Sequence, residues 1–146
     1  MSKPKMRQKA RRLLAQALYS WDVGGTDLVS IEAEFHTDNN MATVDTELFH
    51  EILHGVPKNL SEIDAAYQPH LDRKEEQLDP VSRAILRLST YEMIYRIDVP
   101  YKVVINEGIN LAKTSGPTDA FKYINGILDR IAIEKRAIEV AANKRR

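Results

Sequence analysis

Cysteine is absent from all 146 positions of the chain. That excludes disulfides, thiolate metal sites and cysteine nucleophiles, and it fits a reducing compartment. Long apolar runs are missing too. None approaches the ~20 residues that a membrane span requires. The N-terminus lacks the unbroken apolar stretch and small-residue cleavage site of a signal peptide. A cytoplasmic protein with no membrane role is therefore expected. The sequence also contains no Gly-rich phosphate loop, no Walker pattern, no G-x-S-x-G, no tandem repeat and no low-complexity tract.

Acidic residues are missing from one segment. The first 21 residues carry Lys3, Lys5, Arg7, Lys9, Arg11 and Arg12 before the first carboxylate, Asp22. The whole chain is balanced at 21 basic and 21 acidic residues, so the front is net +6 and the remainder net −6. Such an asymmetry points to a polyanionic partner for the front. At 100° per residue, Met6, Ala10, Leu13, Leu14, Ala17, Leu18 and Trp21 share one helical face. Lys5, Lys9 and Arg12 fall opposite, followed by Gln16 and Tyr19, while Arg7 and Arg11 flank the apolar stripe. Cations grip phosphates and an aromatic ring stacks on an unpaired base. Arg11 is expected at or near a phosphate, and Tyr19 against a base. A basic amphipathic helix also serves membranes or acidic partners, which leaves a helical adaptor as a rival reading.

Period-3.6 patterns recur and period-2 alternation does not, so the expected class is all-α, with about seven helices in two small packed bundles. The first helix should end near Trp21, before Gly24 and Gly25. A second should start at Thr26 or Asp27, and residues 36–43 read as polar loop. A third carries Val44 to Val56, stopped or bent by Gly55 and Pro57. A fourth holds Leu60, Ile63 and Tyr67. The charged stretch Asp72 to Gln77 divides an N-terminal bundle, about 1–72, from a C-terminal one, about 78–142. Asp79 and Pro80 mark the cap and first turn of the fifth helix. The sixth spans roughly Lys102 to Thr114. The seventh starts near Thr118 or Asp119 and runs toward the basic tail Lys144, Arg145 and Arg146. Asn125-Gly126 has the composition of a hairpin turn. Phe121, Ile124, Leu128 and Ile131 continue a helical stripe across it, so a helix is expected there.

One catalytic pattern is present. His50-Glu51-Ile52-Leu53-His54 is H-E-x-x-H, in which two His bind zinc and the Glu activates water. Glu62, Glu75 or Glu76 would have to supply a third ligand. The two His fall on the polar side of the third helix, and no strand is available to hold a peptide. These His and Glu are therefore read as side chains on an exposed helix face, with no metal, no cofactor and no catalytic residue, and a zinc hydrolase remains the enzymatic rival. Glu92 and Glu107 stand among apolar residues, where carboxylates usually cap or bridge helices. Tyr91 and Tyr95, one turn apart, read as packing between helices with hydroxyls at the rim.

The strings QALYSWD (16–22), ILRLSTYEMIYRIDVPYKVVINEGINLAK (85–113) and FKYINGILD (121–129) resemble the NusB family of transcription antitermination proteins. The resemblance runs from the basic N-terminus to Asp129. It implies a seven-helix, two-bundle fold that is not an enzyme. A methyltransferase family carries a similar N-terminal domain, but the expected catalytic domain does not follow here. The resemblance further implies binding of boxA RNA through an arginine-rich N-terminal segment. The partner would be NusE, a ribosomal small-subunit protein, and the setting an RNA polymerase elongation complex with other Nus factors, notably on ribosomal RNA operons. Carried onto this chain, the RNA-binding residues are Lys3, Lys5, Arg7, Lys9, Arg11, Arg12, Tyr19, Asp119 and Tyr123. Lysines interrupt the arginines, and Gln8 stands where another cation would fit. Asp119 cannot attract phosphate, so it would accept from a base edge or hold a neighbouring Arg.

Overall fold

Local signals set most helix starts. In the computed structural model, which describes residues 1–145, Ser2 caps α1 (Lys3–Gly24) by accepting from Lys5 N, with Pro4 in the first turn. Gly25 ends α1 in the left-handed region at φ 66°, a conformation that favours glycine. Asp27 caps α2 (Leu28–Asp38), and Asp45 caps α3 (Thr46–Lys58). Next come α4 (Leu60–Tyr67) and, with Asp79 accepting from Ser82 N, α5 (Pro80–Tyr95). The series closes with α6 (Tyr101–Ser115), α7 (Ala120–Lys135) and α8 (Ala137–Lys144). Short 3-10 turns occupy 41–43, 68–70 and 75–77. No strand occurs among the described residues, and Asn125-Gly126 lies inside α7, as the continuous stripe requires. Arg146, the end of the basic tail, lies outside the described residues.

Besides α1, which runs past Trp21 through Gly24, three boundaries differ from the sequence reading. The segment read as loop from His36 is helical as far as Asp38, so α2 is longer than expected. Gly55 and Pro57 do not stop α3, which continues to Lys58. Gly55 is instead a point of close approach, because a Cβ there would collide with the Tyr91 ring of α5. Pro57 cannot donate to the Leu53 carbonyl, a single lost bond so near the helix end, and Asn59 closes the last turn on the Gly55 carbonyl with both its N–H at 3.0 Å and its side-chain amide at 2.8 Å.

The third difference makes eight helices rather than seven among the described residues. The expected last helix breaks at Arg136, which lies between α7 and α8 and is buried. Its guanidinium donates to the carbonyls of Met93 at 2.8 Å, Glu92 at 3.1 Å and Arg96 at 2.8 Å. These carbonyls belong to the end of α5, where a helix leaves acceptors unpaired. Glu139 of α8 holds Arg136 and also accepts from Tyr101 N at 2.9 Å, serving an orphan donor at the start of α6. The break thus satisfies two other helix termini at once.

Helix α5 is the centre of the fold. It packs on α1, α3, α4, α6 and α7, and its residues Ala84 to Met93 are all buried. The buried apolar side chains form one cluster reaching from Ala10 to Val140. At roughly 1.5–3 kcal/mol per fully buried large side chain, that cluster dominates stability. It also holds α1 rigidly, with Leu13, Leu14, Ala17 and Leu18 inward. None of the described helices is long and apolar enough to cross a membrane.

Candidate nucleic-acid interface

The packing of α1 decides which basic residues reach solvent. Lys3, Lys5 and Arg12 are exposed and make no ion pair among the described residues. Lys9 is half-buried, with Nζ donating to Thr43 Oγ1 at 3.1 Å. Arg7 leans back toward Asp45 and Asp98 at 3.6 and 3.8 Å, distances too long for good hydrogen bonds. Gln8, at the place where a further cation would fit, donates to Glu107 at 3.0 Å and ties α1 to α6.

Arg11 departs from its expected place. It is 3% exposed, and its guanidinium forms a two-pronged pair with Glu92 of α5: Nε to Oε2 at 2.9 Å and Nη2 to Oε1 at 2.8 Å. The sequence reading placed Arg11 beside a phosphate; the structure withdraws it into the α1–α5 contact. The cause is the carboxylate of Glu92, itself 1% exposed, which requires a partner once buried. Burial acts against the Arg11 charge, yet the bonds and field of Glu92 outweigh it, so the guanidinium pKa is raised. Glu92 and Glu107 therefore bridge helices, as their apolar neighbours suggested.

Beyond Arg12, Gln16 and Tyr19 continue the exposed side of α1. Tyr19 is 39% exposed and lines a groove with Ala15, Gln16, Ser20, Val81 and Ser115. The groove therefore joins α1 to the start of α5 and the end of α6. An adjoining depression contains Lys113, Gly116, Asp119 and Phe121. Gln16, Ser20 and Lys113 were not singled out as site residues by sequence, although Gln16 had its place on the helical wheel. Lys113 Nζ lies 4.9 Å from the Phe121 ring centre, a cation–aromatic contact at the surface.

Asp119 adopts φ 65°, the one left-handed conformation at a non-glycine residue among those described. Such a backbone is uncommon for an L residue, and Asp tolerates it better than most. Its side chain does not cap α7. The nearest cation is Lys122 at 3.8 Å, with both groups well exposed, so Asp119 holds no neighbouring Arg. Tyr123 turns elsewhere. Its ring lies 4.3 Å from the Arg73 guanidinium, and its hydroxyl is enclosed without a hydrogen-bond partner. Burial pushes that phenol's pKa up. Of the residues expected at the interface, Lys3, Lys5, Lys9, Arg12, Tyr19 and Asp119 are available from solvent or partly so. Arg11 is not, and Tyr123 is packed against the 72–79 segment.

The H-E-x-x-H residues are split between two neighbours. His50 Nδ1 and His54 Nε2 lie 2.7 and 3.0 Å from the two carboxylate oxygens of Glu32 on α2. Burial opposes ionisation of Glu32, but the bonds to His54 and His50 prevail and hold its pKa below the usual value. Glu51 points to α5, accepting from Tyr91 Oη at 2.9 Å and Arg96 Nη1 at 2.8 Å. The Tyr91 and Tyr95 rings pack 4.8 Å apart, as expected. A water-activating Glu cannot serve a metal between the histidines while so engaged, and no strand among the described residues lies alongside to hold a peptide.

Comparison with known proteins agrees with this architecture. The NusB family profile matches residues 8–133. A transcription antitermination protein NusB of Pseudomonas savastanoi pv. phaseolicola is 54% identical over 139 residues, covering 95% of this chain and 84% of that protein. One from Teredinibacter turnerae is 53% identical and covers 93% of each. The solved structure of T. maritima NusB superposes with a TM-score of 0.80 at 32% identity, over 97% of this chain and 99% of that one. An all-helical chain with a basic first helix and these relatives belongs to the NusB family.

Proposed function

We propose that this chain is a transcription antitermination factor that grips single-stranded boxA-type RNA together with NusE, within an RNA polymerase elongation complex. Its relatives are transcription antitermination proteins, which supports the class. The observation that carries the RNA reading is a continuous exposed strip. It runs along α1 from Lys3 and Lys5 past Lys9, Arg12 and Gln16 to the Tyr19 groove, then on to the α6–α7 turn at Asp119.

The chemistry along that strip is ordered. Cations lie at the N-terminal end, where they neutralise phosphates without reading sequence. An amide and a phenol follow, and an exposed carboxylate sits at the far end on a strained backbone. Stacking on Tyr19 and acceptance at Asp119 from a base amino group supply discrimination. Tyr123 would take the lesser part, shaping the start of α7 with Arg73 above it. Arg7 leans toward Asp45 and Asp98 with its Nε enclosed, so it is not counted among the phosphate contacts. Arg11 contributes by fixing α1 against α5. With so few base-reading groups, this chain alone should bind RNA modestly, and NusE should add both affinity and preference.

Binding of a boxA-type RNA and a scrambled RNA of equal length, each with and without NusE, tests this reading. The expected result is weak, nearly equal binding by the chain alone and tighter, boxA-selective binding with NusE. Equal binding of both RNAs in the presence of NusE overturns it.

A further inference from the structure

Glu32, His50 and His54 form a cluster that RNA binding does not use. Two imidazoles at i and i+4 leave α3 on the same side, with ring centres 4.4 Å apart. A carboxylate from α2 meets both, one oxygen to each ring. All three ligand atoms lie within 4.8 Å of one another. In place of a downstream third ligand at Glu62, Glu75 or Glu76 stands Glu32, upstream on another helix.

We propose that Glu32, His50 and His54 bind one divalent transition-metal ion, taking Zn²⁺, and that this ion clips α2 to α3. Two imidazoles and a carboxylate are a donor set suited to such ions. Bond lengths of about 2.0–2.2 Å place the donors of a tetrahedral site roughly 3.4 Å apart, so small side-chain rotations from the observed spacing suffice. His50 is 64% exposed along its side chain, which gives the ion a path from solvent and leaves the fourth position to water. A neutral imidazole that now donates to Glu32 must present a lone pair to the metal. Its proton therefore moves to the other ring nitrogen.

The clip has a structural use. Helix α2 buries only Ile31 completely and is the least anchored of the first five helices. Joining it to α3, whose Leu48, Phe49, Ile52 and Leu53 lie in the core, would steady it. Water activation is not part of the proposal, because Glu51 is held by Tyr91 and Arg96.

His70 provides an internal control. It meets Glu134 at 2.8 Å but has no second imidazole. The full chain, stripped with chelator, is titrated with ZnCl₂ by calorimetry and melted with and without Zn²⁺. One ion per chain and a higher Tm with Zn²⁺ are expected. His54→Ala should weaken binding by about tenfold or more and abolish the Tm rise, as should Glu32→Gln to a smaller degree. His70→Ala should bind as the parent does. Circular dichroism without metal confirms that each variant is folded. Absence of saturable one-to-one binding overturns the proposal, as does unchanged Zn²⁺ affinity in folded His50→Ala/His54→Ala.

Discussion

The inner and outer sides of α1 carry the same residue types to opposite ends. Arg11 and Arg12 are adjacent and equally charged. Arg11 is 3% exposed and paired twice with Glu92, while Arg12 stands in water. The inner cation orients the helix; the outer one is left for a partner. Counting positive charges in a basic segment therefore overstates what it offers to RNA. Of six cations, Lys3, Lys5, Lys9 and Arg12 are the ones the structure leaves wholly or partly available. At about 0.7 per single-strand phosphate contact, four contacts give a salt slope near −2.8, against about −4.2 for six.

The largest effect that would break this contrast is on stability. Arg11→Ala should destabilise the chain by about 3–5 kcal/mol, because it leaves a buried carboxylate unpaired. Urea unfolding measures it. Replacing the pair together, with Arg11→Met and Glu92→Leu, should cost much less than either single loss. If Arg11→Ala is as stable as the parent, the inner role assigned to it is wrong.

Tyr19→Ala should come next, with a loss of RNA affinity on the order of 1–3 kcal/mol and little change in salt slope. Its exposure means that Tm should barely move. A variant that fails to fold would show Tyr19 to be part of the core. Arg12→Ala should be milder still, reducing the magnitude of the salt slope by about 0.7 with Tm unchanged. Binding isotherms at several salt concentrations read this directly. The smallest effect sharpens the contrast from a distance. His50→Ala/His54→Ala should leave RNA affinity unaltered, since that cluster lies on the α2–α3 side; a clear loss would extend the RNA surface beyond α1.

What was legible in the sequence was local. Asp79 followed by Pro80 announces the start of α5 because a cap acts over three residues, and the bond from Ser82 N confirms it. The apolar stripe across Asn125-Gly126 outweighed a hairpin signal for the same reason. Tyr19 fell on the exposed face of α1 in the wheel and in the fold. What escaped depended on distant partners. Arg11 lies at the margin of the stripe, so its fate turns on Glu92, 81 residues away. The break at Arg136 exists to serve carbonyls at the end of α5, more than 40 positions earlier. Glu32 meets His50 and His54 through the packing of α2 on α3, which no spacing rule encodes. The backbone of Asp119 is a turn conformation that few Asp residues adopt, and nothing in the surrounding residues required it.

Amide chemical-shift mapping of the isotopically labelled chain, titrated with boxA-type RNA, tests the division of α1 most directly. The shifts should concentrate at Lys5, Lys9, Arg12, Gln16 and Tyr19 and at the turn around Asp119. The Arg11 side-chain Nε–H, bonded to Glu92, should keep its resonance throughout. Shifts confined to the α2–α3 surface around Glu32 and His50, with α1 and the α6–α7 turn silent, would contradict it.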